Sequence, residues 1–102
     1  MTKKLLPIYP GEILQEDFLQ PLGITQYRLA KDIGVSARRI NEIVHGQRVI
    51  TADTALRLAR YFNTSAQFWM NLQNHYDLSI QEDSMRKGIL DTIQVFRLAH
   101  SA

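Results

Sequence analysis

The stretch LAKDIGVSARRINEIVHG, Leu29 to Gly46, carries a helical period that breaks at Gly34-Val35-Ser36 and resumes before two adjacent arginines, Arg38 and Arg39. One uninterrupted helix does not tolerate that break. Glycine adopts positive φ at no steric cost, and a serine hydroxyl accepts from the otherwise unpaired first amides of a new helix. Helix, short glycine-bearing turn, helix is the helix-turn-helix arrangement, in which the first helix braces a second that can enter a DNA major groove. Its expected packing set is Leu29, Ala30, Ile33, Gly34, Val35, Ile40 and Ile43. Ala30 is small where the helices approach, Gly34 makes the turn, and Val35, Ile40 and Ile43 point inward.

The opposite face of the second helix is polar. Arg38 lies three residues from Asn41 and four from Glu42, so these side chains project together. Arginine offers a rigid donor fork to O6 and N7 of guanine and asparagine pairs similarly with adenine, each bidentate contact discriminating by about 1 to 3 kcal/mol. Ala37, Arg38, Arg39, Asn41 and Glu42 are the candidate base readers. Thr25, Gln26 and Ser36 stand at two helix N-termini, where amides point outward, and Arg48 adds charge beyond the second helix; these are the candidate phosphate contacts.

The chain around this unit reads as all-α. Pro10-Gly11 opens a helix with Ile13, Leu14 and Phe18 at helical spacing, which Pro21 and Gly23 end. Thr25 caps a second helix through Ile33, Ser36 a third from Ala37 to about His45, and Gly46 supplies its left-handed exit. Thr51 begins a fourth helix that ends near Asn63, and Ser65 caps a fifth. In AQFWMNLQNHYDL, Phe68, Leu72 and His75 form one stripe and Trp69 and Tyr76 an adjoining one, with His75 expected half-buried. From Ser79 to Ala102 the expectation is mainly helix, although Gly88 weakens it and IQVF alternates enough to permit a short strand.

With 102 residues and 45% apolar composition, one domain is expected. The division is an N-terminal arm at 1–8, a helix-turn-helix domain at 9–78 and a C-terminal extension at 79–102. The net charge is only +2, yet its distribution is uneven. Gly23 to Arg60 carries Arg28, Lys31, Arg38, Arg39, Arg48, Arg57 and Arg60 against Asp32, Glu42 and Asp53, whereas Tyr61 to Met85 has acids and no Lys or Arg. A phosphate-facing side and a separate second surface would produce that segregation. Because DNA half-sites are related by two-fold symmetry, the second surface is expected to pair two copies, with Phe68, Trp69, Leu72 and Tyr76 as candidate dimer residues.

Several classes are disfavoured. The chain lacks cysteine, so no disulfide or thiolate metal site is expected and a reducing cytoplasm is the default. MTKKLLPIYPG is too short and too broken by proline for a signal peptide or a membrane span. His45, His75 and His100 are isolated, and Glu16-Asp17 and Glu82-Asp83 are adjacent pairs that diverge on a helix. Neither a metal site, a catalytic carboxylate dyad nor a cofactor is expected.

PGEILQEDFLQPLGIT, LAKDIGVSARRINEIVHGQRVITADTALRLARYF and TSAQFWMNLQNHYDL together resemble the HigA-type antitoxins, a branch of the phage-repressor-like (Xre) helix-turn-helix proteins in bacterial toxin–antitoxin modules. The resemblance spans roughly Tyr9 to Leu78. It implies a five-helix repressor-like fold, a homodimer, repression of the protein's own operon, and neutralisation of a HigB-like toxin that cleaves messenger RNA. The sequence departs at Ala37, where related repressors often carry a longer polar residue, which throws base reading onto Arg38. A free-standing helix-turn-helix regulator without a toxin remains the alternative, and a basic ribonuclease-like reading frame beside the gene would separate the two.

Overall fold

Four of the helices begin on a hydroxyl residue, and each hydroxyl accepts the amide three residues on. Thr25 accepts from Arg28, Ser36 from Arg39, Thr51 from Thr54 and Ser65 from Phe68. These caps satisfy donors that no helical carbonyl can reach, and so they fix where the helices start. The computed structural model describes residues 7–86 and 88–97. Its helices are α1 (residues 10–22), α2 (Gln26–Ile33), α3 (Ala37–Val44), α4 (Ala52–Phe62) and α5 (Ala66–Met85), followed by a short 3-10 turn at Leu90–Thr92. Among the described residues there is no strand. The expected N-terminal arm lies outside the described residues apart from Pro7 and Ile8, as does the end of the C-terminal extension from 98 onward.

Exits are as specific as entries. Gly23, Gly34 and Gly46 all take positive φ, as does Asn63 at the end of α4. Gly34 at φ +75 also sits under the Arg57 guanidinium, 3.3 Å from where a Cβ would stand. A side chain there would be strained and crowded together.

Two expectations about α1 need amendment. Pro21 does not end the helix but lies inside its last piece, Gln20–Leu22, and the middle, Leu14–Leu19, is π-helical. Proline lacks the amide that would bond the carbonyl four residues back and its ring clashes there; a wider preceding turn relieves both. The π spacing also puts Leu14 and Leu19, five residues apart, into the core, where both are buried.

The core is continuous across all five helices. Leu14 and Leu19 of α1 meet Leu29, Ala30 and Ile33 of α2, Ile40 and Ile43 of α3, Ala55 and Leu58 of α4, and Trp69 of α5. Of the expected helix-turn-helix packing set, Leu29, Ala30, Ile33, Ile40 and Ile43 are inside, Val35 is half-buried against them, and Gly34 is exposed at the turn. Gly11 permits the closest approach: a Cβ on it would lie 1.7 Å from the Ile43 carbonyl oxygen, so α1 seats backbone against backbone on α3. Gln73, one of two buried polar residues among those described, accepts the Ile50 amide at 2.7 Å and anchors the loop after α3 to α5.

α5 runs without interruption through Leu78 to Met85. Beyond it, among the described residues, only Leu90–Thr92 is helical, and residues 94–97, including the end of IQVF, form neither helix nor strand. The mainly helical expectation for the tail thus holds for its first seven residues and fails for the rest that is described. Ile89, Leu90, Ile93, Val95 and Phe96 are exposed.

Candidate nucleic-acid interface

α3 divides its residues as the sequence pattern requires. Ile40, Ile43 and Val44 face the core, while Ala37, Arg38 and Asn41 are exposed and Glu42 is partly so. The Arg38 side chain is 84% exposed. Its Nε donates to Glu42 Oε2 at 2.9 Å, a bond that does not use the terminal nitrogens. The other carboxylate oxygen, Oε1, accepts from Arg48 Nε at 2.8 Å, so Glu42 joins the recognition helix to the loop behind it. The two guanidinium donors, Arg48 foremost, hold the Glu42 carboxyl below its usual range.

Asn41 bridges the two helices. Its Nδ2 donates to Gln26 Oε1 at 3.1 Å, bringing the N-terminus of α2 beside the middle of α3. One Nδ2 hydrogen and Oδ1 of Asn41 remain for a base edge, and the Gln26 amide nitrogen for a phosphate. Thr25 and Ser36 cap their helices through hydroxyl lone pairs, keeping their own hydrogens available as donors. His45 ends α3, its Nδ1 2.8 Å from the Asn41 carbonyl oxygen.

Arg39 does not join the outward group. It is one residue from Arg38, hence about 100° around the helix, and its Nη1 donates to Asp53 Oδ1 of α4 at 3.3 Å. The same oxygen accepts from Arg57 Nε at 2.8 Å, and Arg57 Nη1 donates to the Ile33 carbonyl at 2.7 Å. Arg39, Asp53 and Arg57 form a brace that ties α3 to α4 and covers the C-terminal carbonyls of α2. Arg57, first among its partners, depresses the Asp53 carboxyl. On the other side of α2, the Tyr61 hydroxyl donates to Asp32, which also accepts from Arg28 at 2.8 Å; the hydroxyl bond leads in holding Asp32 low. Five of the seven basic side chains from Gly23 to Arg60 share the segment's three acids, so the pairing is local while the excess of basic charge remains.

The candidate dimer residues are not all at the surface. Trp69 is wholly buried: its indole nitrogen donates to Thr64 Oγ1 at 2.8 Å, and Phe18 packs 4.9 Å from its ring. Trp69 is core and cannot touch a second copy. Leu72 is half-buried against the same core, and Tyr76 is half-buried edge-on to Tyr9. Phe68 is the most open of the four at 37% exposure, although its ring leans on Phe18 and Trp69. His75, expected half-buried, is exposed. Tyr27 is a residue that the sequence pattern does not single out; it is 70% exposed in the same first turn as Gln26. Its signal is a large aromatic set off the Leu29–Ala30–Ile33 stripe.

Among the described residues no group of three or more His, Asp or Glu could hold a metal ion, and no helix is long and apolar enough to cross a membrane. The helix-turn-helix family model matches residues 16–69. Virulence-associated protein I of Dichelobacter nodosus is 59% identical over 75 residues, covering 74% of this chain and 69% of its own. Antitoxin HigA-1 of Vibrio cholerae is 37% identical over 75 residues, covering 74% and 70%. The structure of Pseudomonas aeruginosa antitoxin HigA with the higBA promoter superposes at a TM-score of 0.85 with 48% identity, covering 89% of this chain and 99% of that one. With its matched domain, its packed turn and near-complete overlap with an antitoxin of known structure, this chain belongs to the HigA-type antitoxin family of helix-turn-helix proteins.

Proposed function

We propose that this protein is an antitoxin that binds its own operator through α3, represses its operon and neutralises a HigB-like ribonuclease toxin. The observation that carries the DNA-binding part is the outward group of Arg38 and Asn41, flanked by the capped N-termini of α2 and α3. Arg38 and Asn41 meet base edges, while Gln26, Thr25, Ser36 and Arg48 hold phosphates and set the register. Its membership of a family in which a member has been solved with promoter DNA supports the same role. The role is one of binding, without catalysis, and it is exercised in the cytoplasm where the DNA lies.

The protein works as a two-fold homodimer. A lone recognition helix of eight residues spans too few base pairs for specific affinity at physiological salt, and two must occupy successive major grooves. The surface for self-association runs from Phe68 and Tyr76 on α5 to the tail residues Ile89, Ile93, Val95 and Phe96, whose side chains are exposed. The toxin part is tested by coexpression with the adjoining reading frame. Growth restored by this chain supports neutralisation; continued arrest with both proteins present at comparable levels leaves the free-standing regulator as the correct reading.

A further inference from the structure

We infer that Glu42 is a positioning residue: it sets the base specificity of Arg38 by fixing its guanidinium, and it does not itself read a base. The inference rests on Arg38 as base reader. Glu42 is a costly choice on several grounds. It stands in the last turn of α3, where the helix dipole disfavours an acid. The Arg38–Glu42 order, base before acid at four residues, is the less stabilising orientation of such a pair. A carboxylate on this face also repels phosphate. Against these costs, each of its oxygens receives a short bond from a different arginine, Arg38 Nε at 2.9 Å and Arg48 Nε at 2.8 Å.

Both bonds use Nε. The terminal pair of nitrogens on each guanidinium takes no part in these bonds, and for Arg38 that pair is the fork that fits guanine O6 and N7. An arginine side chain otherwise samples many rotamers at this exposure, and fixing it before contact reduces the ordering cost of binding. The shared carboxylate further ties the base-reading arginine to the phosphate-facing one, so the two approach DNA in a single register.

A double-mutant cycle on operator and random DNA separates positioning from direct reading. Binding is measured by fluorescence anisotropy at a temperature where thermal melting shows each variant folded. Glu42→Ala should lower the ratio of operator to random affinity by about fivefold or more, with Glu42→Gln, which retains one acceptor oxygen, intermediate. In an Arg38→Ala background the same Glu42→Ala change should alter the ratio by less than about twofold. An equal loss in both backgrounds would make Glu42 an independent base reader and overturn the inference. A uniform rise in affinity with the ratio unchanged would reduce Glu42 to a repelling charge and overturn it as well. Arg38→Ala alone leaving the ratio unchanged would remove the base-reader assignment first and this inference with it.

Discussion

Gly11→Ala is the smallest change that should unseat the recognition helix. The added Cβ would lie 1.7 Å from the Ile43 carbonyl oxygen and 2.8 Å from the Val44 Cα. Both are backbone atoms, so no rotamer change relieves the clash, and α1 must move away from α3 by roughly 1.5 Å to restore ordinary van der Waals contact. Overpacking with flexible neighbours costs about 1 to 3 kcal/mol, and a backbone-on-backbone clash belongs at the upper end. Alanine recovers up to about 1 kcal/mol relative to glycine through helix propensity. A net loss of about 2 kcal/mol remains, and for a domain of this size each kcal/mol lowers the melting temperature by about 4 to 8 °C. Differential scanning calorimetry should therefore show a fall of about 8 to 16 °C. Because the displaced α1 no longer supports α3 at Ile43 and Val44, operator affinity should fall as well when measured below the new transition. A variant melting within about 2 °C of the parent would show that the α1–α3 contact is loose and would refute the seating argument.

Arg48→Ala should weaken binding to operator and random DNA alike and reduce the slope of log affinity against log salt by about one unit, as read from titrations at several salt concentrations. Acid should weaken the brace between α3 and α4. Asp53 has a depressed carboxyl in the folded state, so its contribution is present above the ordinary carboxylate pKa of about 4 and is lost as the pH falls through its lower folded value. Asp53→Asn should lower the melting temperature at neutral pH and lose less on acidification to about pH 3; parallel pH curves for parent and variant would contradict the role.

Local chemistry is legible in the sequence wherever a residue acts on its own neighbours. Thr25, Ser36, Thr51 and Ser65 cap the helices that their positions predict, and Gly34 turns where the period breaks. The inward stripe from Leu29 to Ile43 is legible for the same reason, since helical spacing alone decides which residues share a face. What escapes depends on partners distant in the chain. Trp69 carries the same periodic signal whether it meets Phe18 of its own chain or a second copy, and only the path of α1 decides. Arg39 looks like a groove residue until Asp53, fourteen positions later, arrives beside it. Gly11 reads as a helix opener, and its contact with Ile43 is invisible to any local window. The π stretch in α1 reflects Pro21 acting back on the preceding turns, which a search for a 3.6-residue period passes over.

The central claim is that two copies of α3 read one operator. Hydroxyl-radical footprinting of the full chain on its own promoter, with the number of bound chains measured by analytical ultracentrifugation of the complex, tests it directly. Two bound chains and two protected patches about 34 to 36 Å apart along the duplex, on one face, are predicted. A single chain that protects one patch, or a promoter left uniformly open to cleavage, would contradict the account.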